Sequence, residues 1–195
     1  MIKKAIILCG GTGSRMFPST KTTNKQLLPL YDKPMFYYPL SLLMLIGIKN
    51  FLFIINKGQK ENFLKSIGSS NDLGINIQFK EQNKPNGLPE AFILGEQFIG
   101  KDSVLMILGD NFFYGNMLSP VIKKTLSIKS GANIYLYPSK NTSAYGVVEL
   151  KKNGKINKII EKPIFTKSNL VITGMYVFDN KVIEYAKKLK PSKRN

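Results

Sequence analysis

The sequence predicts an α/β fold in three layers: a mixed, mostly parallel sheet with helices on both faces. Short apolar runs recur at Ala5–Leu8, Phe51–Ile55, Ile75–Phe79, Val104–Leu108 and Ile134–Tyr137, each of strand length. Between them lie stretches with helical spacing, such as Leu88, Ala91, Phe92, Gly95 and Phe98. Strands alternating with helices, and apolar at successive positions, are those of a sheet covered on both sides.

The first run enters the fold directly. Met1 to Leu8 has the positive charge of a signal peptide, but its apolar run stops at Gly10, short of the roughly 7–15 residues such a region needs. It reads as a strand. Phe36 to Ile55 is dense in apolar residues, yet Pro39, Gly47, Lys49 and Asn50 divide it into a short helix and a strand. The expectation is a soluble, cytoplasmic protein with no membrane partner. Beyond Pro138 the pattern changes to Tyr145–Leu150, an Asn153-Gly154 turn, Lys155–Ile160, Val171–Phe178 and a helical Lys181–Leu189. This is expected to form a second, strand-rich layer for substrate. No repeat or linker divides the chain, so one domain is expected over 1–195, with a nucleotide-binding half, 1–138, and an incomplete sugar-phosphate half, 139–195.

Composition narrows the chemistry. The chain has no histidine and one cysteine, Cys9, which excludes imidazole catalysis and an internal disulfide. Cys9 closes an apolar run and reads as a small buried hydrophobe. The 29 basic residues against 12 acidic ones give a net charge of +17, which fits either nucleic acid or small polyanionic substrates. The lysines are scattered, and the densest basic tract, Lys187 to Arg194, reads as a solvated tail. Nucleic acid is therefore not an expected partner. Only Arg15 and Arg194 are arginine. A guanidinium grips phosphate through two parallel hydrogen bonds, so Arg15 reads as a phosphate ligand.

Arg15 closes Gly10-Gly11-Thr12-Gly13-Ser14-Arg15, directly after the first strand. Glycines here let backbone N–H groups close around an anion. An ordinary glycine turn is the alternative. The spacing fits neither the P-loop nor the dinucleotide fingerprint. Asp110 follows Val104–Leu108 and Gly109, at the end of a buried strand, where a carboxylate is costly without a cation or donors. A metal ligand is one reading of Asp110, and an N-cap for the next helix is the other. Asn111 would support the same site.

Past the glycine loop come Lys25-Gln26-Leu27-Leu28-Pro29, Tyr31-Asp32-Lys33-Pro34-Met35 and Tyr37-Tyr38-Pro39-Leu40. Together with the loop they resemble the bacterial glucose-1-phosphate thymidylyltransferases, a family of sugar nucleotidyltransferases. Further similarity falls at Gln82, Pro85-Asn86-Gly87-Leu88, Leu108-Gly109-Asp110-Asn111, Tyr145-Gly146-Val147-Val148-Glu149, Glu161-Lys162-Pro163 and Thr173-Gly174-Met175-Tyr176, so the resemblance spans the chain.

The resemblance implies a Rossmann-like fold of the nucleotide-diphospho-sugar transferase type, with dTTP and glucose 1-phosphate as substrates and Mg²⁺ as cofactor. It assigns the triphosphate to Gly10, Gly11, Thr12, Gly13, Arg15 and Lys25, the base to Gln82 and Gly87, and Mg²⁺ to Asp110. The sugar phosphate falls to Lys162, with Asn111, Tyr145, Gly146, Glu161, Thr173, Gly174 and Tyr176 around the sugar. It also implies that the chain stops before the segment carrying a second metal-binding aspartate. A homo-oligomer or a complementing chain are the partners this leaves open. Ser14, Cys9 and Asn86 depart from the more usual threonine, alanine and aspartate.

Overall fold

The computed structural model describes residues 1–84 and 86–190. Pro85 of the Pro85-Asn86-Gly87 motif, and the tail from Pro191 through Arg194 to Asn195, lie outside the described residues. The elements are β1 (Lys4–Cys9), β2 (Pro29–Leu30), β3 (Lys33–Pro34), α1 (Tyr37–Leu45), β4 (Asn50–Asn56), α2 (Lys60–Ile67), β5 (Asn76–Gln82), α3 (Leu88–Leu94), α4 (Glu96–Ile99), β6 (Val104–Leu108), α5 (Leu118–Thr125), β7 (Ala132–Pro138), β8 (Gly146–Leu150), β9 (Ile156–Glu161), β10 (Leu170–Phe178) and α6 (Val182–Lys188). They form two compact units, one of Met1–Ala132 with the stretch from Val177, the other Asn133–Tyr176. Among the described residues no helix is long and apolar enough to cross a membrane.

In the first unit the strands run in the order β5-β4-β1-β6, parallel throughout. Ala5, Ile6 and Ile7, Phe51 to Ile55, and Val104 to Ile107 are all buried, as strands covered on both faces must be. Ile6 and Leu52 are in register and share one face. A Cβ placed on Gly95, between α3 and α4, would lie 3.1 Å from each of them, so these helices cover that face. Phe53, one residue on, points the other way and meets Phe36 ahead of α1 at 5.8 Å and Phe63 of α2 at 6.1 Å between ring centroids. Helices therefore pack on both faces of the parallel sheet. Phe79, in register with Phe53, completes this aromatic cluster at 5.6 Å. Truncating Phe53 to alanine there would cost about 3–5 kcal/mol.

The helical spacing from Leu88 to Phe98 forms two helices rather than one. Gly95 ends α3 and precedes α4 where the backbone lies close against Ile6 and Leu52 of the sheet, each 3.1 Å from where a Cβ would stand. The close approach to the sheet takes precedence over continuity of the helix. α3 also packs against α6, with Phe92 edge-on to Phe178 at 5.2 Å.

From β1 the chain passes outward to β4 and β5, then returns to place β6 on the other side of β1. Strand order thus reverses at β1, and the crevice beyond its carboxyl end is where such sheets bind ligands. Cys9, Asn56, Gln82 and Leu108 end the four strands.

The second unit is antiparallel where β8 pairs with β9 and with β10, and β7 pairs with β10. Lys155 N donates to Asn153 Oδ1 at 3.2 Å and Gly154 takes φ 76°, closing the β8–β9 hairpin at the expected turn. Val147, Val148, Val171 and Met175 form its core.

Candidate active site

β1 delivers the chain into Gly10, with no room there for a side chain. A Cβ on Gly10 would come 1.7 Å from Gln82 Nε2, so a buried amide from the end of β5 takes that space. The loop then turns through Gly11 at φ 103° and Gly13 at φ 61° into a 3₁₀ turn at Ser14–Met16. Arg15 is exposed, and with Gly10, Gly13, Lys25, Gln26 and Asp110 it lines a cleft of about 200 Å³. Thr12 lines an adjoining cleft of about 140 Å³ with Lys25 and Asn56. One detail departs from the expected phosphate cradle: the Gly11 N–H donates to Asn56 Oδ1 at 3.1 Å and is unavailable to an anion.

The lysine motif is pinned against the end of β1 by Asn24. Its Nδ2 donates to Cys9 O at 3.0 Å, and its Oδ1 accepts from Gln26 N at 2.9 Å, capping the 3₁₀ turn Lys25–Leu27. Gln26, 3% exposed, donates from Nε2 to Gly10 O at 3.4 Å. Its Oε1 is buried without a partner, an acceptor held ready at the cleft wall. Neither Asn24 nor Gln26 was singled out from the sequence, where polar residues inside a motif carry no periodic signal.

Lys25 Nζ lies 2.7 Å from Asp110 Oδ2. Asp110 reaches this position because Gly109 follows β6 closely along β1: Gly109 N donates to Leu8 O at 2.9 Å. A Cβ on Gly109 would stand 2.5 Å from Cys9 Sγ. The N-cap reading of Asp110 does not hold, since α5 begins only at Leu118 and Asp110 accepts instead from Lys25 and from Asn111 Nδ2, at 3.2 Å. Burial, and secondarily the Asp110 charge, push the Cys9 thiol well above its ordinary pKa. It stays protonated and inert.

Among the described residues no three His, Cys, Asp or Glu side chains converge on a metal position. Mg²⁺ retains waters and binds through one or two carboxylates plus phosphate oxygens. A carboxylate such as Asp110 beside nucleotide oxygens would meet that requirement without a protein cage.

Gln82, 5% exposed, is in register with Asn56 because the β4–β5 ladder runs past the apolar stretch ending at Phe79. It donates from Nε2 to Asn56 Oδ1 at 3.3 Å. Gly87 takes φ 93° ahead of α3, and Asn86 is held by Glu90 through its N–H and its Nδ2 at 3.1 and 3.0 Å.

In the second unit Gly146 is opposite Glu161, and a Cβ on Gly146 would lie 3.2 Å from Glu161 Oε2. Lys162 follows in a left-handed conformation, φ 44°. Its N–H donates to Tyr145 O at 2.9 Å, and its Nζ is 3.9 Å from Glu161 Oε1. Burial, then the Glu161 charge, raise the Tyr176 phenol above its ordinary pKa. Thr173 Oγ1 donates to Tyr135 O at 3.0 Å. Gly146, Lys162 and Tyr176 thus lie about the Glu161 carboxylate, with Tyr145 tied to Lys162 through backbone, while the Thr173 proton is engaged by backbone and Gly174 continues β10.

A parallel sheet with a glycine loop, a lysine motif and an acidic strand end converging at its switch point defines a nucleotide-handling α/β protein. The chain belongs to the nucleotidyl transferase family, whose model matches residues 4–195. It is 47% identical over 191 residues to the glucose-1-phosphate thymidylyltransferase of Neisseria meningitidis and 46% identical to that of Mycobacterium tuberculosis, covering 98% of this chain and 66% of each relative. The chain thus spans about two thirds of the length of these curated relatives. A Bacillus anthracis protein described as a glucose-1-phosphate thymidylyltransferase, crystallised with sucrose, superposes with a TM-score of 0.89 at 38% identity over 97% of this chain and 76% of its own. A UDP-glucose pyrophosphorylase bound to UDP-glucose gives 0.84 at 26% identity, covering 100% of this chain and 83% of its own. The expected Rossmann-like, nucleotide-diphospho-sugar transferase type of fold is the one these neighbours share.

Proposed function

We propose that the chain carries the machinery of a glucose-1-phosphate thymidylyltransferase, transferring a thymidylyl group from dTTP to glucose 1-phosphate and releasing pyrophosphate. The observation that carries this reading is the cleft where Arg15, Lys25 and Asp110 meet the glycine loop, in a chain whose relatives bear that activity in their names.

The sugar-phosphate oxygen attacks the α-phosphorus in line, the bond to the β-phosphate oxygen breaks, and pyrophosphate leaves. A phosphate monoester has its second pKa near ~6, so the attacking oxygen is already deprotonated at neutral pH and no histidine is needed. Arg15 and Lys25 hold the triphosphate, with Thr12 and Gly13 offering backbone N–H groups. Lys162 neutralises the acceptor phosphate, so that two anions can approach. Glu161 accepts hydrogen bonds from sugar hydroxyls, with Asn111, Tyr145, Gly146, Thr173, Gly174 and Tyr176 around the ring. Gln82 and Gly87 receive the base. Asp110 would hold Mg²⁺, which when bound supplies charge neutralisation on the phosphates.

The division into a nucleotide half, 1–138, and a sugar-phosphate half, 139–195, belongs to the same proposal, as do a cytoplasmic setting, a role in deoxysugar or polysaccharide synthesis, and a second copy or complementing chain as partner. A second reading is nucleotide binding without turnover, since among the described residues no group of three or more candidate metal ligands forms. The two separate on one assay: pyrophosphate release from dTTP, glucose 1-phosphate and Mg²⁺, with Arg15→Ala as control. Release that the control lacks establishes transfer, whereas nucleotide binding without release establishes the second reading.

A further inference from the structure

We infer that Asn56 is a positioning residue that sets base selectivity, by fixing which way round the Gln82 amide faces. The inference rests on the reading of Gln82 as the base contact proposed above, and adds to it a residue from a different strand.

The orientation of the Asn56 amide is dictated by backbone. Its Oδ1 accepts from Gly11 N at 3.1 Å and its Nδ2 donates to Gly11 O at 2.8 Å. The N–H and the C=O of Gly11 cannot exchange roles, so rotating the Asn56 amide by half a turn would set oxygen against oxygen and N–H against N–H. With Oδ1 fixed, the Gln82 amide is fixed in turn, since only its Nε2 can donate to that oxygen, at 3.3 Å. The chain of dependence runs from the Gly11 backbone through Asn56 to Gln82, all within the first unit.

The consequence is chemical. An unrestrained glutamine amide can turn to suit either pyrimidine, because it offers a donor at one end and an acceptor at the other. Thymine and uracil present a donor at N3 beside an acceptor at O4, and cytosine presents the reverse. An amide locked in one orientation matches one of these patterns in a given pose and leaves unpaired polar groups against the other, the situation in which discrimination becomes large. Asn56 also holds Gly11 in its left-handed conformation, so the same side chain ties base reading to the shape of the phosphate loop.

Equilibrium binding of dTTP, dCTP and inorganic tripolyphosphate, with Mg²⁺, to the 195-residue protein tests this by calorimetry. Asn56→Ala should lower the preference for dTTP over dCTP about tenfold, the loss corresponding to one oriented hydrogen bond. Asn56→Ala with Gln82→Ala should be no less selective than Gln82→Ala alone. Asn56→Ser, whose hydroxyl is too short to reach both groups of Gly11, replaces Asn56→Ala should the latter not fold. An unchanged dTTP to dCTP ratio in the alanine or serine variant overturns the inference while leaving Gln82 as the base contact. Failure of the unmodified protein to bind either nucleotide overturns the underlying reading, and this inference with it.

Discussion

Lys25 and Asp110 lie 85 residues apart in the sequence and meet at 2.7 Å, with side chains 29% and 28% exposed. The pair closes the gap between the lysine motif and the end of β6, and it places a cation where the proposed reaction requires one for phosphate and an anion where it requires one for metal. A pair this accessible contributes about 1 kcal/mol or less to folding. Its value lies in the substrates it awaits: Lys25 can turn to a triphosphate, and Asp110 is then released to a cation. Lys25→Met and Asp110→Asn are each expected to lower pyrophosphate release about a hundredfold or more while shifting the melting temperature by only about 2–4 °C. Steady-state assays alongside thermal melts check both halves of this expectation.

Cys9 makes stability fall at alkaline pH. Its thiol is fully buried and its pKa is raised, first by burial and then by Asp110. The unfolded chain therefore releases this proton at lower pH than the folded one, and the folded state binds more protons above the ordinary thiol range near ~8.5. Stability is unaffected by Cys9 below that range and declines above it, by up to about 1.4 kcal/mol per pH unit. Thermal melts from neutral to alkaline pH should show a steeper decline in the unmodified protein than in Cys9→Ala. Equal slopes would mean that the thiol is not protected in the folded state.

Gly109 is needed for space rather than for flexibility. A Cβ there would lie 2.5 Å from Cys9 Sγ and 3.1 Å from Leu8 O, between two strands that cannot part without losing the bond from Gly109 N to Leu8 O. Gly109→Ala is expected to destabilise by about 1–3 kcal/mol, and adding Cys9→Ala should recover part of that loss by removing the nearer atom. Denaturant titrations of the two single variants and the double variant give the coupling directly, and strict additivity would contradict the contact.

Much of this arrangement was legible because the strands are buried on both faces. Val104–Leu108 appears in the structure with the bounds its apolar run predicts, and Asp110 stands out as an acid beyond a buried strand. β5 was legible only in part. As an edge strand it tolerates Lys80 and Glu81, so its apolar run ends before the ladder does, and the register that sets Gln82 beside Asn56 was hidden. Asn24, Gln26 and Asn56 were missed for a related reason: each acts by hydrogen bonding to backbone distant in sequence, and such bonds leave no period to read. Asn24 alone left a signal, as a cap-forming residue directly ahead of the lysine motif. Gly95 shows the reverse case, where local spacing favoured one helix and contact with Ile6 and Leu52 divided it.

Lys162 allows the sugar-phosphate assignment to be tested apart from the nucleotide one. Its backbone is left-handed at φ 44° and tied to Tyr145 O, a conformation that costs of order 1–3 kcal/mol for a residue with a side chain. Its Nζ stands at 3.9 Å from Glu161, too far for a strong pair, which leaves the ammonium available to an incoming phosphate. Lys162→Gln keeps the length and loses the charge. It is expected to raise KM for glucose 1-phosphate about tenfold or more while dTTP affinity, measured by calorimetry, stays within about twofold, since a charge-assisted hydrogen bond contributes about 1.5–3 kcal/mol. Lys162→Gly relieves the backbone and removes the side chain altogether, so it should melt at or above the temperature of the unmodified protein and share the defect in glucose 1-phosphate. If both variants instead lose dTTP binding, Lys162 serves the nucleotide and not the acceptor.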